Sequence, residues 1–146
     1  MSAVTTQPVT VRSSGAGAAA VGVAAICTSF AGLQVALAAG APFGEHVWGG
    51  SQSRVLPDGM RVVAVGAAAV LLGMATVVVR RAGLVGRPAR WLRPATWTIA
   101  GYFALNTVGN LASTSDVERY LFGPATAVAA VLTAVVARGS GRPRGR

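Results

Sequence analysis

The chain has 146 residues, 53% of them hydrophobic and only 12% charged, with a mean hydropathy of +0.57. Soluble domains carry about 25% charged residues, so an ordinary water-soluble fold is excluded and a single domain dissolved largely in hydrocarbon is expected. The net charge of +9 comes from arginine alone. Those arginines lie in short segments between apolar runs, with no basic helix face and no aromatic stacking platform, which argues against nucleic acid as a partner.

Residues 1–15 form a short tail with Arg12. The first apolar run, 16–40, is long enough to cross about 30 Å of hydrocarbon, which takes about 20 helical residues. Arg12, the run and "ALAAGA" at 36–41 also resemble a secretory signal with its cleavage site. A signal core spans only about 7–15 residues, however, so an uncleaved first span is expected. Cys27 is the chain's only cysteine, and its place in this run reads as a small buried hydrophobe, with no disulfide or zinc partner. Gly22, Ser29 and Gly32 offer small surfaces for helix approach. Gln34 is an amide in the outward half of the span.

The connection "GAPFGEHVWGGSQSRVLPDGMR" holds the only histidine, His46, near Glu45, Trp48, Arg54, Asp58 and Arg61. One histidine without a cysteine makes no multi-histidine or thiolate metal site. His46 is an acid–base candidate near neutral pH, but beside a tryptophan it reads first as an interfacial polar residue. The glycines and prolines indicate a structured turn or a partly re-entrant loop.

The second span, 60–79, contributes Gly66 and Gly73 as further small packing surfaces. "RRAGLVGRPARWLRP" follows, and its Arg80, Arg81, Arg87, Arg90 and Arg93, with Trp91, suit a contact with anionic phospholipid head groups. In the third span, 95–113, Thr98, Tyr102, Asn106, Asn110 and Ser113 recur at spacings of three and four. They form a polar stripe expected to face other helices or a small wet cavity. The two asparagines read as interhelical glue, and a Gln34–Asn110 contact is one candidate pairing.

The corner "NLASTSDVERYLFGP" places Ser115 or Asp116 at a helix N-cap, with Glu118 three residues after Ser115 as in a capping box. Glu118 and Arg119 are also candidates for an ion pair with Arg54 or Arg61 across the two outward loops. The fourth span, 121–137, tolerates Pro124 in its first turns, and 138–146 is a basic tail expected to be disordered.

Charge sorts by segment. The N-terminal tail, the second connection and the C-terminal tail hold ten arginines and no acid. Arg54, Arg61 and Arg119 share the remaining segments with all four carboxylates, Glu45, Asp58, Asp116 and Glu118. No run alternates as a barrel strand does, so helices follow. The expected fold is an all-α, four-helix transmembrane bundle, and the arginine bias puts both termini in the cytoplasm. Abundant Ala, Gly and Arg without Lys suggest a GC-rich bacterial genome, hence a multi-pass protein of the bacterial inner membrane.

Two stretches resemble a group of small, functionally uncharacterised bacterial integral membrane proteins. G-x-P-x-G…W-G-G…L-P…R falls on Gly40, Pro42, Gly44, Trp48, Gly49, Gly50, Leu56, Pro57 and Arg61. N-x-x-S-x-S-x-x-E-R…G-P falls on Asn110, Ser113, Ser115, Glu118, Arg119, Gly123 and Pro124. The resemblance implies a four-span membrane protein without an assigned activity or ligand.

Chemical motifs are few. "GAGAAAVG" lacks a preceding strand and the chain has no lysine, so dinucleotide and P-loop readings fall, and no G-x-S-x-G elbow is present. No catalytic residue, metal site or cofactor is assigned. The leading expectation is a non-enzymatic structural, sensory or accessory membrane protein, alone, as a homo-oligomer or with a membrane protein partner. Its polar outward cap would contain Gln34, His46, Trp48, Arg61, Asn106, Asn110, Ser113, Glu118 and Arg119. The alternatives are a small transporter or channel component and a lipid- or quinone-directed enzyme using His46 and Glu118.

Overall fold

The computed structural model describes residues 15–139; the two expected tails lie almost wholly outside them. Four long helices account for most of the chain: α1 (Gly15–Ala38), α2 (Asp58–Arg81), α3 (Leu92–Leu111) and α4 (Gly123–Arg138). Two short 3₁₀ turns, Gly44–His46 and Trp48–Gly50, occupy the α1–α2 connection, and a π-turn, Glu118–Phe122, leads into α4. The described residues contain no strand, and the fold is an all-α four-helix bundle.

Three segments, Gly15–Ala38, Asp58–Arg81 and Glu118–Arg138, are long and apolar enough to cross a membrane. Helix α3 is long enough too, but Arg93, Pro94, Tyr102, Asn106 and Asn110 dilute its hydropathy. Boundaries shift by a few residues from expectation, each for a local reason. Helix α3 begins at Leu92, because Pro94 falls in a first turn whose N–H groups need no intrahelical acceptor. Helix α2 starts at Asp58 directly after Pro57 and runs on to Arg81, which makes both of its terminal arginines helical.

The helices run up and down. Arg81 reaches the end of α4, donating through Nη2 to the carbonyls of Ala137 (3.3 Å) and Gly139 (2.5 Å). Arg138 lies 5.7 Å above the Trp97 ring of α3, and Gly139 sits beside Ala16. At the opposite end, the α1–α2 connection is hydrogen-bonded to the α3–α4 corner through Gly49. Charge therefore divides by end among the described residues. Arg80, Arg81, Arg87, Arg90, Arg93 and Arg138 stand at one end without an acid, and every carboxylate stands at the other.

The core is built of small side chains. Ala19, Ala20, Val23 and Cys27 of α1 pack with Val78, Ile99, Phe103, Ala129 and Val136, and Gly22 lets Leu132 of α4 approach closely. Three other expected packing glycines are not used in this way: a methyl group added at Gly32, Gly66 or Gly73 would touch nothing, and Ser29 is exposed. The inward strip of α2 is Ala64, Ala68, Leu71, Ala75 and Val78, whose helical spacing leaves Gly66 and Gly73 off that face.

The polar stripe of α3 is corrected similarly. Its buried face is Leu92, Thr96, Ile99 and Phe103, so Thr98 is exposed and turns away from the bundle, while Tyr102, itself partly exposed, edges the same cavity as Asn106 and Asn110. Thr98 bonds the carbonyl of Pro94 one turn back (3.2 Å), which satisfies it without a neighbour.

Candidate functional site

The corner after α3 is a set of short polar links. Ser115 Oγ accepts from the Glu118 N–H (3.4 Å), the N-terminal cap expected from the sequence. The return half of a capping box takes another route: the Ser115 N–H donates to Ser113 Oγ (3.0 Å), and the Ser113 hydroxyl donates to Glu118 Oε2. Arg119 Nη2 bonds the Ser113 carbonyl (2.6 Å). Ser113, Ser115 and Glu118 are all buried.

The tie to the α1–α2 connection exists, but it is not the expected ion pair. Glu118 Oε2 accepts from the backbone N–H of Gly49 (2.9 Å), and Thr114 Oγ1 donates to the Gly49 carbonyl (2.9 Å). One peptide position is therefore held by both of its polar groups. Among the described residues no arginine lies within salt-bridge range of Glu118. Arg61 is engaged elsewhere, with Nε on the Ala38 carbonyl (2.8 Å) and Nη1 3.5 Å from Asp58. It serves the C-terminus of α1, where a cation is favoured by the helix dipole and by unpaired carbonyls.

The π-turn has a cause in Pro124. Its nitrogen cannot donate, and in a regular helix its ring would press on the carbonyl four residues back, that of Tyr120. A wider turn accommodates this, and the Gly123 N–H bonds the carbonyl of Glu118. π-Turns of this kind concentrate at functional sites, and this one begins at the residue whose carboxylate closes the cap.

Beneath the cap lies a partly open cavity of about 130 Å³. Its wall takes Phe30 and Gln34 from α1, Ala67 and Leu71 from α2, and Tyr102, Asn106 and Asn110 from α3. Trp48, Glu118, Phe122 and Thr126 complete the outward end, where Phe30 and Phe122 meet edge to face at 5.3 Å.

Five of the expected site residues thus converge: Gln34, Trp48, Asn106, Asn110 and Glu118. Ser113 and Arg119 join them indirectly through the corner. Asn110 is interhelical glue, but to Thr126 Oγ1 (3.4 Å) rather than to Gln34. Thr107 donates to the same oxygen (3.1 Å), and Thr126 in turn bonds the Phe122 carbonyl (2.8 Å). Asn106 bonds the Tyr102 carbonyl of its own helix (2.9 Å). Gln34 shares the cavity with Asn110 without bonding it, and its Oε1 is buried without a partner. The Thr126 junction went unread because threonine in an apolar helix usually bonds its own preceding turn and no motif marks one that also bridges.

His46 stands apart. Its Nε2 is 3.6 Å from Glu45, and both side chains are about half exposed. It is absent from the cavity wall, so it does not combine with Glu118 into a proton-transfer pair. Arg61 likewise lies outside. At the basic end Arg80, Arg87, Arg90 and Arg93 are exposed, but Arg81 is buried at 9% exposure. Arg81 is corrected from a head-group contact to a brace: its guanidinium answers the terminal carbonyls of α4. The described residues hold no group of three His, Cys, Asp or Glu side chains placed to bind a metal ion. Comparison of the chain with protein-family models, curated proteins and solved structures finds no match.

Proposed function

We propose that the chain is a four-span protein of the bacterial inner membrane, with both termini in the cytoplasm, and that its outward end is a non-catalytic binding site for a small ligand, serving a sensory or accessory role. The observation that carries this reading is the capped cavity, where three amides, Gln34 of α1 and Asn106 and Asn110 of α3, meet the Glu118 carboxylate in one wall. Concave sites with a few convergent polar groups are the usual form of a small-molecule site.

Two features support the membrane arrangement. The division of charge between the ends follows the positive-inside rule, with Arg80, Arg87, Arg90 and Arg93 meeting anionic head groups beside the exposed Trp91. The lower hydropathy of α3 is compatible with a lipid setting, since Thr98 and Asn106 bond the carbonyls one turn back. The motif resemblance agrees with a four-span protein and lends no activity. Transport is less well supported: inward of the cavity the core is filled by Val23, Cys27, Val78 and Ile99, and the buried Thr96 and Thr133 bond carbonyls of their own helices.

Single-cysteine labelling tests the arrangement. An impermeant maleimide on intact cells is expected to modify Ser51→Cys and spare Val85→Cys, while Cys27 stays silent because it is buried; the reverse pattern overturns it. For the ligand role, a deletion strain is complemented with wild type or with Ala67→Phe, which fills the cavity from α2. Full rescue by the filled variant would overturn that role.

A further inference from the structure

Among the described residues Glu118 supplies the only carboxylate of the cavity wall, and no arginine or histidine lines that wall. Its side chain is 5% exposed, and its two hydrogen bonds, from the Gly49 N–H and the Ser113 hydroxyl, both fall on Oε2. The neighbouring guanidinium of Arg119 is directed to the Ser113 carbonyl. A buried carboxylate is thus held by neutral donors alone, and the field it sets up in the cavity is negative.

The rest of the wall has the same bias. Phe30, Trp48, Tyr102 and Phe122 contribute aromatic rings, whose faces carry the negative part of the ring quadrupole. Gln34 adds an amide oxygen that is buried in this wall without a hydrogen-bond partner, an open acceptor, and Asn106 spends one of its amide N–H groups on the Tyr102 carbonyl. A carboxylate and an unpartnered amide oxygen around one space repel anions and favour a positively charged group, and aromatic rings beside them can add cation–π contact. A metal ion is poorly served, since hard cations take six or more oxygens and this wall has a single carboxylate. The volume of about 130 Å³ compares with about 30 Å³ per water in the liquid, room for about four waters or one small organic molecule.

We infer that the capped cavity binds a small organic cation, an alkylammonium group, with Glu118 as its counter-charge and the aromatic rings as its cage. This rests on the reading of the cavity as a ligand site and names the chemistry of that ligand. The same ammonium chemistry is available in a free amine and in an ethanolamine phospholipid head group.

Calorimetric titration of the full chain in an uncharged detergent tests it. The probes are tetramethylammonium and ethylammonium, with tert-butanol as a neutral analogue, acetate as an anion, and short-chain phospholipids bearing ethanolamine or glycerol head groups. At least one ammonium probe, free or lipid-borne, is expected to saturate, with tert-butanol, acetate and the glycerol lipid roughly tenfold weaker or worse. Saturation by free amines assigns a soluble ligand, and saturation only by the ethanolamine lipid assigns the membrane as its source. Glu118→Gln keeps an acceptor for Gly49 and Ser113 but removes the charge, and is expected to weaken ammonium binding at least about tenfold. Ala67→Phe is expected to abolish it with the thermal midpoint retained. Tert-butanol binding as tightly as the cations, or unchanged affinity in Glu118→Gln, overturns the cation and leaves the cavity as a ligand site. No saturation by any probe overturns both. If Glu118→Gln folds poorly, the wild-type ranking of cation over neutral analogue still decides.

Discussion

Glu118 Oε2 and the backbone N–H of Gly49 meet at 2.9 Å across 69 residues of sequence, and that bond joins the α1–α2 connection to the α3–α4 corner. The same oxygen accepts from Ser113, so one side chain satisfies a loop amide and a corner hydroxyl at once. Buried donors deprived of their acceptor carry the full cost of desolvation, and hydrogen bonds to a charged group contribute about 1.5–3 kcal/mol each.

Glu118→Ala should therefore destabilise the protein by about 2–4 kcal/mol in a thermal melt in detergent, with Glu118→Gln retaining most of the stability. Because the partner is a peptide group, reversing the charge of Arg54, Arg61 or Arg119 should not rescue Glu118→Arg. Recovery of the melting midpoint in any such pair would show that the tie is ionic after all.

The four helices were legible because apolar runs of spanning length have few alternatives, and the charge count anticipated which ends of the bundle lie together. The polar corner was legible as a cluster because Ser113, Ser115, Glu118 and Arg119 are close in sequence. Their partners were not. A backbone amide such as that of Gly49 has no side-chain signature, so Glu118 was expected to find an arginine. Smallness likewise marks Gly66 and Gly22 equally, and only the register of the helix decides that one faces a neighbour and the other does not.

Gly44 is set by a close approach. Its N–H donates to the Arg54 carbonyl (2.9 Å), and an added Cβ would clash with the Ser53 carbonyl oxygen and lie 3.1 Å from that of Arg54. Both obstacles are backbone, so rotamer changes give no relief. Gly44→Ala should cost more than about 3 kcal/mol and should displace the 3₁₀ turns that carry Trp48 into the cavity wall, seen as a shift in tryptophan emission. An alanine variant melting within 1 °C of wild type would contradict the close contact.

Arg80 and Arg81 are neighbours with different duties. Arg80 is exposed, whereas Arg81 is buried and bonds the carbonyls of Ala137 and Gly139. Arg81→Met should cost about 1–3 kcal/mol, and Arg80→Met should stay within about 0.5 kcal/mol. If the exposed arginines meet anionic head groups as proposed, the affinity for anionic lipid should not follow this stability ranking. Equal melting midpoints for the two variants would remove the brace.

Gly40 and Arg61 form a coupled pair at the other end of α1. Gly40 has φ +95°, which a side chain rarely tolerates, and a Cβ there would lie 2.6 Å from Arg61 Nη2. Gly40→Ala should thus pay twice, about 1 kcal/mol or more for the backbone and a further amount for pushing the guanidinium off the Ala38 carbonyl, which it now bonds at 2.8 Å. Arg61→Met loses that bond by itself. In the double variant the second loss has already occurred, so the combined destabilisation should fall short of the sum of the singles by at least about 0.5 kcal/mol. A strictly additive cycle would mean that Arg61 caps α1 without depending on the bare backbone at Gly40, and the close approach would then be incidental to the cap.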